Sequence, residues 1–199
     1  SFGEPPSERT EILLAYDDTY LYLAGRFYDR QPEAIQATTM KRDEEAASSD
    51  AFGILIDTFD DNENALVFVT TPTGSRLDMT VSGDAQLNTA LNPSWNTYWD
   101  VAAASTDEGW FAEVRIPFSS LRFQERDGRV VMSLIAYRWI ARRDERVIFP
   151  AIPLDWGDLS YLKPSQARAV AFDGIRQHRP LHLTPYLLGG VEGSPSLDV

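Results

Sequence analysis

The sequence predicts an all-β protein built as an antiparallel β-sandwich. Many short segments rich in β-branched and aromatic residues alternate with polar turns, a pattern typical of sandwiches and barrels. The chain has 199 residues, of which 43% are hydrophobic and 24% charged, so it is long enough to bury a core. It has no cysteine, which excludes thiol catalysis, thiolate metal sites and disulfides.

The predicted strands begin with Thr10–Tyr16 and Tyr20–Tyr28, which are joined by the short turn Asp17-Asp18-Thr19. In Trp110–Ile116 apolar and charged residues alternate, so one face of this strand should be buried. Val130–Ile140 is apolar on both faces, which favours a central strand. The other predicted elements are the strands Phe52–Asp57, Ala65–Thr71, Arg76–Val81 and Val147–Phe149 and the helical turns Pro32–Thr38 and Ser119–Leu121.

We predict that residues 1–150 form the sandwich and that residues 151–199 are an extension or linker. Residues 155–165 have the composition of a loop, and Arg179-Pro180 precedes a separate extended segment, Leu181–Leu188. Glycines and a proline near the end of the chain weaken order there.

The net charge of −12 is concentrated in the first third of the chain. Such acidity argues against a nucleic-acid partner and against a polybasic membrane-surface module, which both need a surplus of Lys and Arg. Between Asp43 and Glu63 there are 8 acids and no Lys or Arg, whereas residues 115–179 carry 12 bases and 7 acids. Two explanations stay open, a cation site in the acidic stretch or ion pairs with the later arginines.

The first candidate site is the loop from Asp57 to Asn64, which follows an apolar strand and offers many oxygen atoms. Calcium prefers six to eight oxygen ligands in proteins. We therefore predict a calcium ion held by Asp57, Asp60 and Asp61, although the spacing matches no EF-hand. No organic cofactor is expected.

The second candidate site is the aromatic segment from Asn92 to Asp100. Aromatic rings stack on the C–H face of a sugar, while amides and charged groups take its hydroxyls. We predict that Trp95 and Trp99 form such a platform and that Asn96 and Arg42 bind hydroxyls. The alternative is that the tryptophans close one end of the sandwich core.

The sequence lacks the motifs of familiar enzyme classes, including the nucleophile elbow, the phosphate loop, the zinc-protease helix and the dinucleotide fingerprint. We therefore predict a protein that is not an enzyme. A binding module is the favoured function, and a structural or docking domain without a small ligand is the alternative. A hydrolytic or heme-binding sandwich is the third. The residues available as axial heme ligands are Met40, Met79, Met132, His178, His182 and the two lysines, Lys41 and Lys163.

An ordered series of segments resembles the family 9 carbohydrate-binding-module-like domain, in the version found at the N-terminus of the DUF5916 proteins of Gram-negative bacteria. The match spans roughly residues 7–150. The segments that carry it are 7–11, 16–22, 41–43, 49–50, 53–61, 72–74, 93–95 with Trp99, 109–118, 120–123 and 138–143.

This resemblance implies a jelly-roll-like sandwich of the carbohydrate-binding-module type, non-catalytic and often glycan-binding, with calcium in some relatives. It also implies a periplasmic or outer-membrane-associated location, in a longer chain whose C-terminal part is an outer-membrane β-barrel. Residues 179–190 resemble the approach to that barrel. Two departures are the absence of the usual opening strand before Ser1 and the Thr71 that precedes Pro72 where an Asn is common.

Overall fold

The structure is a computed structural model that describes residues 5–38, 48–86 and 90–176. Its strands form two antiparallel sheets, which confirms the predicted all-β sandwich. In chain order they are β1 (Thr10–Tyr16), β2 (Tyr20–Tyr28), β3 (Ala51–Asp57), β4 (Ala65–Thr70), β5 (Arg76–Val81), β6 (Leu91–Asn92), β7 (Asp100–Thr106), β8 (Gly109–Pro117), β9 (Glu125–Arg126), β10 (Arg129–Ile140), β11 (Glu145–Phe149) and β12 (Arg168–Asp173).

The smaller sheet has four strands in the order β1-β2-β8-β7. Its first hairpin closes at Asp17, whose Oδ1 accepts hydrogen bonds from the backbone N–H groups of Thr19 and Tyr20, both at 2.7 Å. A short aspartate side chain that binds the following backbone in this way favours a tight turn. The alternation predicted for residues 110–116 is present, because Trp110, Ala112, Val114 and Ile116 are buried while Glu113 and Arg115 are exposed.

The larger sheet has the order β11-β10-β3-β4-β5-β6, and β12 and β9 also pair with β10. The predicted central position of residues 130–140 is therefore confirmed. Both faces of β10 are apolar because both are covered. One face packs against the smaller sheet through Val130, Met132 and Leu134, and the other carries Ile135 in a second apolar cluster.

The main core lies between the two sheets and contains large aromatic side chains. Phe27 packs on Trp110 with ring centroids 4.2 Å apart and on Phe52 at 5.0 Å. Burial of several such rings, at roughly 25 cal/mol per Å² of apolar surface, is the main source of the stability of the fold.

Residues 151–176 belong to the sandwich, so the boundary predicted at residue 150 is wrong for this stretch. Ile152 and Leu162 pack in the second cluster, on the outer face of the larger sheet. Strand β12 pairs with β10 from Arg168↔Leu134 to Asp173↔Arg129, and Phe172 and Ile175 enter the main core. Residues 177–199 lie outside the described part of the chain.

Short 3-10 turns connect the strands. Those at Pro32–Ala34 and Phe118–Ser120 match the predicted helical turns within a few residues, and others are Gly83–Ala85, Ala141–Arg143, Leu154–Trp156, Ser160–Leu162 and Pro164–Gln166. None of the helices in the described ranges has the length and hydrophobicity needed to cross a membrane.

Candidate functional site

Residues 93–99 connect the two sheets and are held by polar groups of β5. The backbone N–H of Thr97 donates to Asp78 Oδ2 at 2.6 Å, and Arg76 Nη1 donates to the carbonyl oxygen of Trp99 at 2.5 Å. Asp78 has no exposed surface. These two bonds fix the path of the segment, so the side chains that it exposes are presented in a defined geometry.

The two tryptophans of this segment occupy different environments. Trp99 is fully buried and meets Phe68 edge to face with ring centroids 5.4 Å apart. The prediction that Trp99 stacks on a sugar is therefore wrong, because its ring fills the main core. Trp95 is half-buried beside the same Phe68, with centroids 6.2 Å apart, and leaves only part of its surface open.

The exposed ring of this segment is Tyr98, whose side chain is 62% exposed. Its Oη donates to Asp100 Oδ2 at 3.0 Å. Together with neighbours on the outer face of the smaller sheet it forms a group that we call the polar-aromatic surface. Its members are Asp17, Tyr20, Tyr22, Tyr98, Asp100 and Arg115.

Strand register places half of this surface in one row. Tyr22 lies opposite Arg115, and Arg115 lies opposite Asp100, so the three side chains cross β2, β8 and β7 side by side. Arg115 Nη2 donates to Asp100 Oδ2 at 2.7 Å. This bond, followed by the bond from Tyr98, keeps the pKa of Asp100 below its usual value. Asp100 is thus a carboxylate at neutral pH and accepts hydrogen bonds.

The tyrosines of β2 complete the surface. The guanidinium of Arg115 lies 4.9 Å from the ring centroid of Tyr20, within cation–π range. Tyr22 Oη donates to Asp17 Oδ2 at 2.8 Å, and the rings of Tyr20 and Tyr22 are 5.9 Å apart. The surface therefore combines aromatic rings with hydroxyl, carboxylate and guanidinium groups that are already oriented by one another.

None of the six residues of this surface was among the predicted site residues, although Tyr98 and Asp100 lie in the predicted aromatic segment. One signal was available, because Tyr20 and Tyr22 share a strand face at a spacing of two and Arg115 lies on the charged face of its strand. Their meeting with Tyr98 depends on how three strands, β2, β8 and β7, pair, and that pairing is set by residues far apart in the chain.

Two of the predicted calcium ligands, Asp57 and Asp61, accept hydrogen bonds within their own loop, and Asp60 accepts one from β10. Asp57 has no exposed surface and accepts hydrogen bonds from the backbone N–H groups of Phe59, Asp61 and Asn62, the last at 2.8 Å. Burial raises the pKa of Asp57, although these bonds oppose the shift.

Asp60 Oδ1 accepts from Ser133 Oγ at 2.6 Å, and Asp61 Oδ1 accepts from the backbone of Glu63 and Asn64 at 2.8 Å. Among the described residues no group of three or more His, Asp or Glu side chains is arranged to hold a metal ion. The structure therefore does not assemble Asp57, Asp60 and Asp61 into a ligand set, because each carboxylate serves a nearby donor. Calcium binding stays a prediction.

Other predicted residues are scattered. Asn96 is exposed on the segment that carries Tyr98. Arg42 lies outside the described residues, as do Met40, Lys41, His178 and His182 among the candidate heme ligands. Met132 is buried in the main core, Met79 packs against the second cluster, and Lys163 Nζ donates to the carbonyl oxygen of Asp84 at 2.9 Å.

A second group of charges is buried where β1, β2 and β10 meet, and we call it the buried charge cluster: Glu8, Asp29, Arg138 and Arg142. Arg142 donates two hydrogen bonds of 2.7 Å to the carboxylate of Asp29. Arg138 has no exposed surface and donates to the carbonyl oxygen of Tyr28 at 2.9 Å. The cluster ties the two sheets together, and the side chains of Asp29 and Arg138 have no exposed surface.

Ion pairs do not account for the five acids of the acidic stretch that lie among the described residues. Among the described residues, Asp50, Asp57, Asp60, Asp61 and Glu63 form no salt bridge, whereas the arginines pair with Glu8, Glu11, Asp29, Asp100 and Asp173. Backbone N–H groups and one hydroxyl satisfy most of these carboxylates instead.

Comparison with known proteins gives similarity in structure only. No family model matches the sequence, and no curated protein matches it. A family 9 carbohydrate-binding module from Caldicellulosiruptor kristjanssonii, solved with cellotriose, superimposes with a TM-score of 0.56 at 16% identity, over 92% of this chain and 85% of that one. The same kind of module solved with glucose gives a TM-score of 0.50 at 15% identity, over 92% and 84%.

A protein of Bacteroides uniformis, named as a "putative carbohydrate-binding protein", gives a TM-score of 0.64 at 11% identity, over 83% of this chain and 79% of that one. Identities this low establish architecture, and the architecture agrees in strand content and sandwich arrangement. The chain has the fold of the family 9 carbohydrate-binding modules.

Proposed function

We propose that this chain is a non-catalytic module that binds a glycan on the polar-aromatic surface. The observation that carries the proposal is the row Tyr22–Arg115–Asp100 with the exposed ring of Tyr98 at its end. Sugars present C–H faces that stack on aromatic rings and hydroxyls that bond to carboxylates and guanidinium groups.

Two features favour this surface over the tryptophan pair, and the fold supports glycan binding in general. Tyr98 is 62% exposed, whereas Trp99 has no exposed surface. Tyr20, Tyr22, Asp100 and Arg115 lie on paired strands of the smaller sheet, so little ordering of these groups is needed on binding. The fold is shared with modules whose solved complexes contain cellotriose and glucose. Trp95 and Asn96, on the same segment as Tyr98, extend the proposed contact area, and a role for Arg42 remains part of the hypothesis.

Calorimetric titration with cello-oligosaccharides and a panel of other neutral glycans tests the proposal. We expect Tyr98→Ala and Tyr22→Ala to lower affinity about tenfold or more, as central contact residues do. Phe59→Ala is the matched control, because Phe59 is 43% exposed and belongs to the Asp57 loop. Equal loss in all three variants, or binding untouched in the two tyrosine variants, contradicts the assignment of the surface.

A structural or docking domain is the second candidate, and the burial of Trp99 favours it, since one of the two predicted sugar-stacking rings serves the core. The two functions differ in a direct measurement. A docking domain binds no member of the glycan panel, whereas a glycan module binds at least one and loses it with Tyr98.

We also propose that the chain works outside the cytoplasm, in a longer outer-membrane-associated protein. The support is the ordered resemblance of residues 7–150 to the DUF5916 N-terminal domains. Fractionation of the native cells, with an antibody against this region, tests it. Recovery in the cytoplasmic fraction contradicts the proposed location.

A further inference from the structure

Arg146 lies on the outer face of the larger sheet, opposite the polar-aromatic surface. Register places it directly across from Trp139 on β10. Its guanidinium carbon lies 5.0 Å from the ring centroid of Trp139 and 3.7 Å from that of Tyr161. Both distances are within cation–π range, so the side chain is held in place by two rings.

A third ring, that of Tyr137, packs against Tyr161. Tyr161 meets Tyr137 edge to face with centroids 4.8 Å apart, and Tyr137 is nearly buried. The Tyr137 ring lies over Gly53, where any Cβ would overlap it. A glycine at this position lets the aromatic stack sit close to the sheet. Arg146 is thus positioned by a rigid support.

Arg146 is half-buried and has no carboxylate partner among the described residues, in a chain with 30 acids and 18 bases. The nearest acid in sequence is engaged elsewhere, because Glu145 Oε1 accepts a hydrogen bond from the backbone N–H of Ser7. The Nε of Arg146 is buried without a hydrogen-bond partner. Neither of its two Nη groups is in that state.

An arginine in this state has unused binding capacity. Its N–H donors lie in the guanidinium plane, so contact between its face and a ring leaves them free. The buried Nε is closed to solvent, so a ligand would bind through the two Nη groups. A planar anion that accepts two parallel hydrogen bonds matches the fork of the guanidinium.

We propose that Arg146, supported by Trp139 and Tyr161, binds the carboxylate of an acidic sugar such as a uronic acid. The site lies on the sheet that does not carry the polar-aromatic surface. Only the sugar part of the ligand rests on the proposed glycan-binding function, whereas the carboxylate follows from Arg146 itself. The net charge of −12 opposes polyanions at long range, and salt of about 0.15 M screens that effect beyond roughly 8 Å.

The test is an NMR titration that follows the indole N–H signals of the folded protein with glucuronate, glucose and inorganic phosphate as separate probes. We expect glucuronate to shift the Trp139 signal and glucose to leave it unchanged. Arg146→Gln should abolish the response, and Arg146→Lys, which keeps the charge but loses the planar fork, should weaken it at least tenfold. Thermal denaturation of both variants checks that they fold.

Arg126→Gln is the matched control, because Arg126 is exposed on β9 and belongs to no ion pair of the described residues. The proposal is overturned by an unchanged Trp139 signal with glucuronate, by an equal response to phosphate or glucose, or by full binding in Arg146→Gln. Failure of the polar-aromatic surface is a separate result, since it appears as neutral-glycan binding that is unchanged in Tyr98→Ala and Tyr22→Ala, whatever the response of Trp139 to glucuronate.

Discussion

Arginine and aspartate meet in the buried charge cluster and again in the polar-aromatic surface. In the cluster, Arg142 donates two bonds of 2.7 Å to Asp29, whose side chain has no exposed surface. In the surface, Arg115 donates one bond of 2.7 Å to Asp100, and their side chains are 47% and 36% exposed. The chemical groups are the same, and burial decides whether they hold the fold or stay available to a ligand.

The physical reason is the solvent around each pair. A buried pair has given up its hydration, so either partner left alone becomes an uncompensated charge. An exposed pair keeps much of its hydration, and a ligand hydroxyl can join it at little cost. Mutations at the two places should therefore separate stability from binding.

The largest expected effect follows from breaking the buried charge cluster. Asp29→Ala should lower the free energy of unfolding by about 3–5 kcal/mol, because Arg138 and Arg142 lose their shared carboxylate in a buried setting. Urea denaturation followed by tryptophan fluorescence measures it. Asp100→Ala is the control and should have a much smaller effect on stability. Equal losses in the two variants contradict the distinction between the two regions.

Trp99 and Tyr98 allow the same comparison, between a buried and an exposed side chain, within one segment. Trp99→Ala should cost about 3–5 kcal/mol of stability, since its ring is fully buried against Phe68. Tyr98→Ala should leave the melting temperature nearly unchanged and lower glycan affinity about tenfold or more. The two measurements are differential scanning calorimetry and glycan titration. A large drop in melting temperature for Tyr98→Ala would place that ring in the core after all.

These neighbours also show what the sequence could predict and what it could not. Alternation placed Arg115 on an exposed face, because side-chain direction in a strand is a local property. The burial of Trp99 depends on Phe68, which lies 31 positions earlier in the chain, and no local pattern separates Trp99 from Trp95.

Four strands escaped prediction, and two of them, β6 and β9, are only two residues long. The two longer ones escaped it for a similar reason. Asp100–Thr106 is rich in alanine, and Arg168–Asp173 follows a loop-like stretch, so neither has a strong β signal of its own. Each is a strand because a neighbour is present, β8 for the first and β10 for the second. Asp100 is the first residue of β7, so its ion pair with Arg115 could not be predicted once that strand was missed.

The Asp57 loop gives an intermediate effect. Asp57→Asn should lower stability by about 1–3 kcal/mol, because Oδ1 and Oδ2 both accept backbone N–H groups and an amide keeps only one acceptor. Thermal melts in calcium and in a chelator measure the variant and the wild type. If the loss appears only in calcium, Asp57 is a metal ligand. If it appears equally in both conditions, the carboxylate stabilises the loop by itself.

The smallest expected effect is a difference in pH dependence between two buried aspartates. Burial raises the pKa of Asp50 above 3.8, and its Oδ2 has no hydrogen-bond partner. Burial acts in the same direction on Asp29, but the hydrogen bonds from Arg142 and from Gln31 outweigh it and lower that pKa below 3.8. The two groups should therefore contribute slopes of opposite sign to the stability curve.

Asp50 stabilises the fold when protonated, so its contribution is lost as the pH rises from 3.8 through its raised pKa. Asp29 contributes above 3.8, and its contribution is lost as the pH falls through its lowered pKa. Free energies of unfolding measured from pH 2.5 to 7 should show that Asp50→Asn removes the loss above 3.8, while Asp29→Asn removes the loss below it. Parallel curves for wild type and Asp50→Asn would mean that Asp50 is ionised in the fold at no cost, with Arg138 and Arg142 compensating its burial in full.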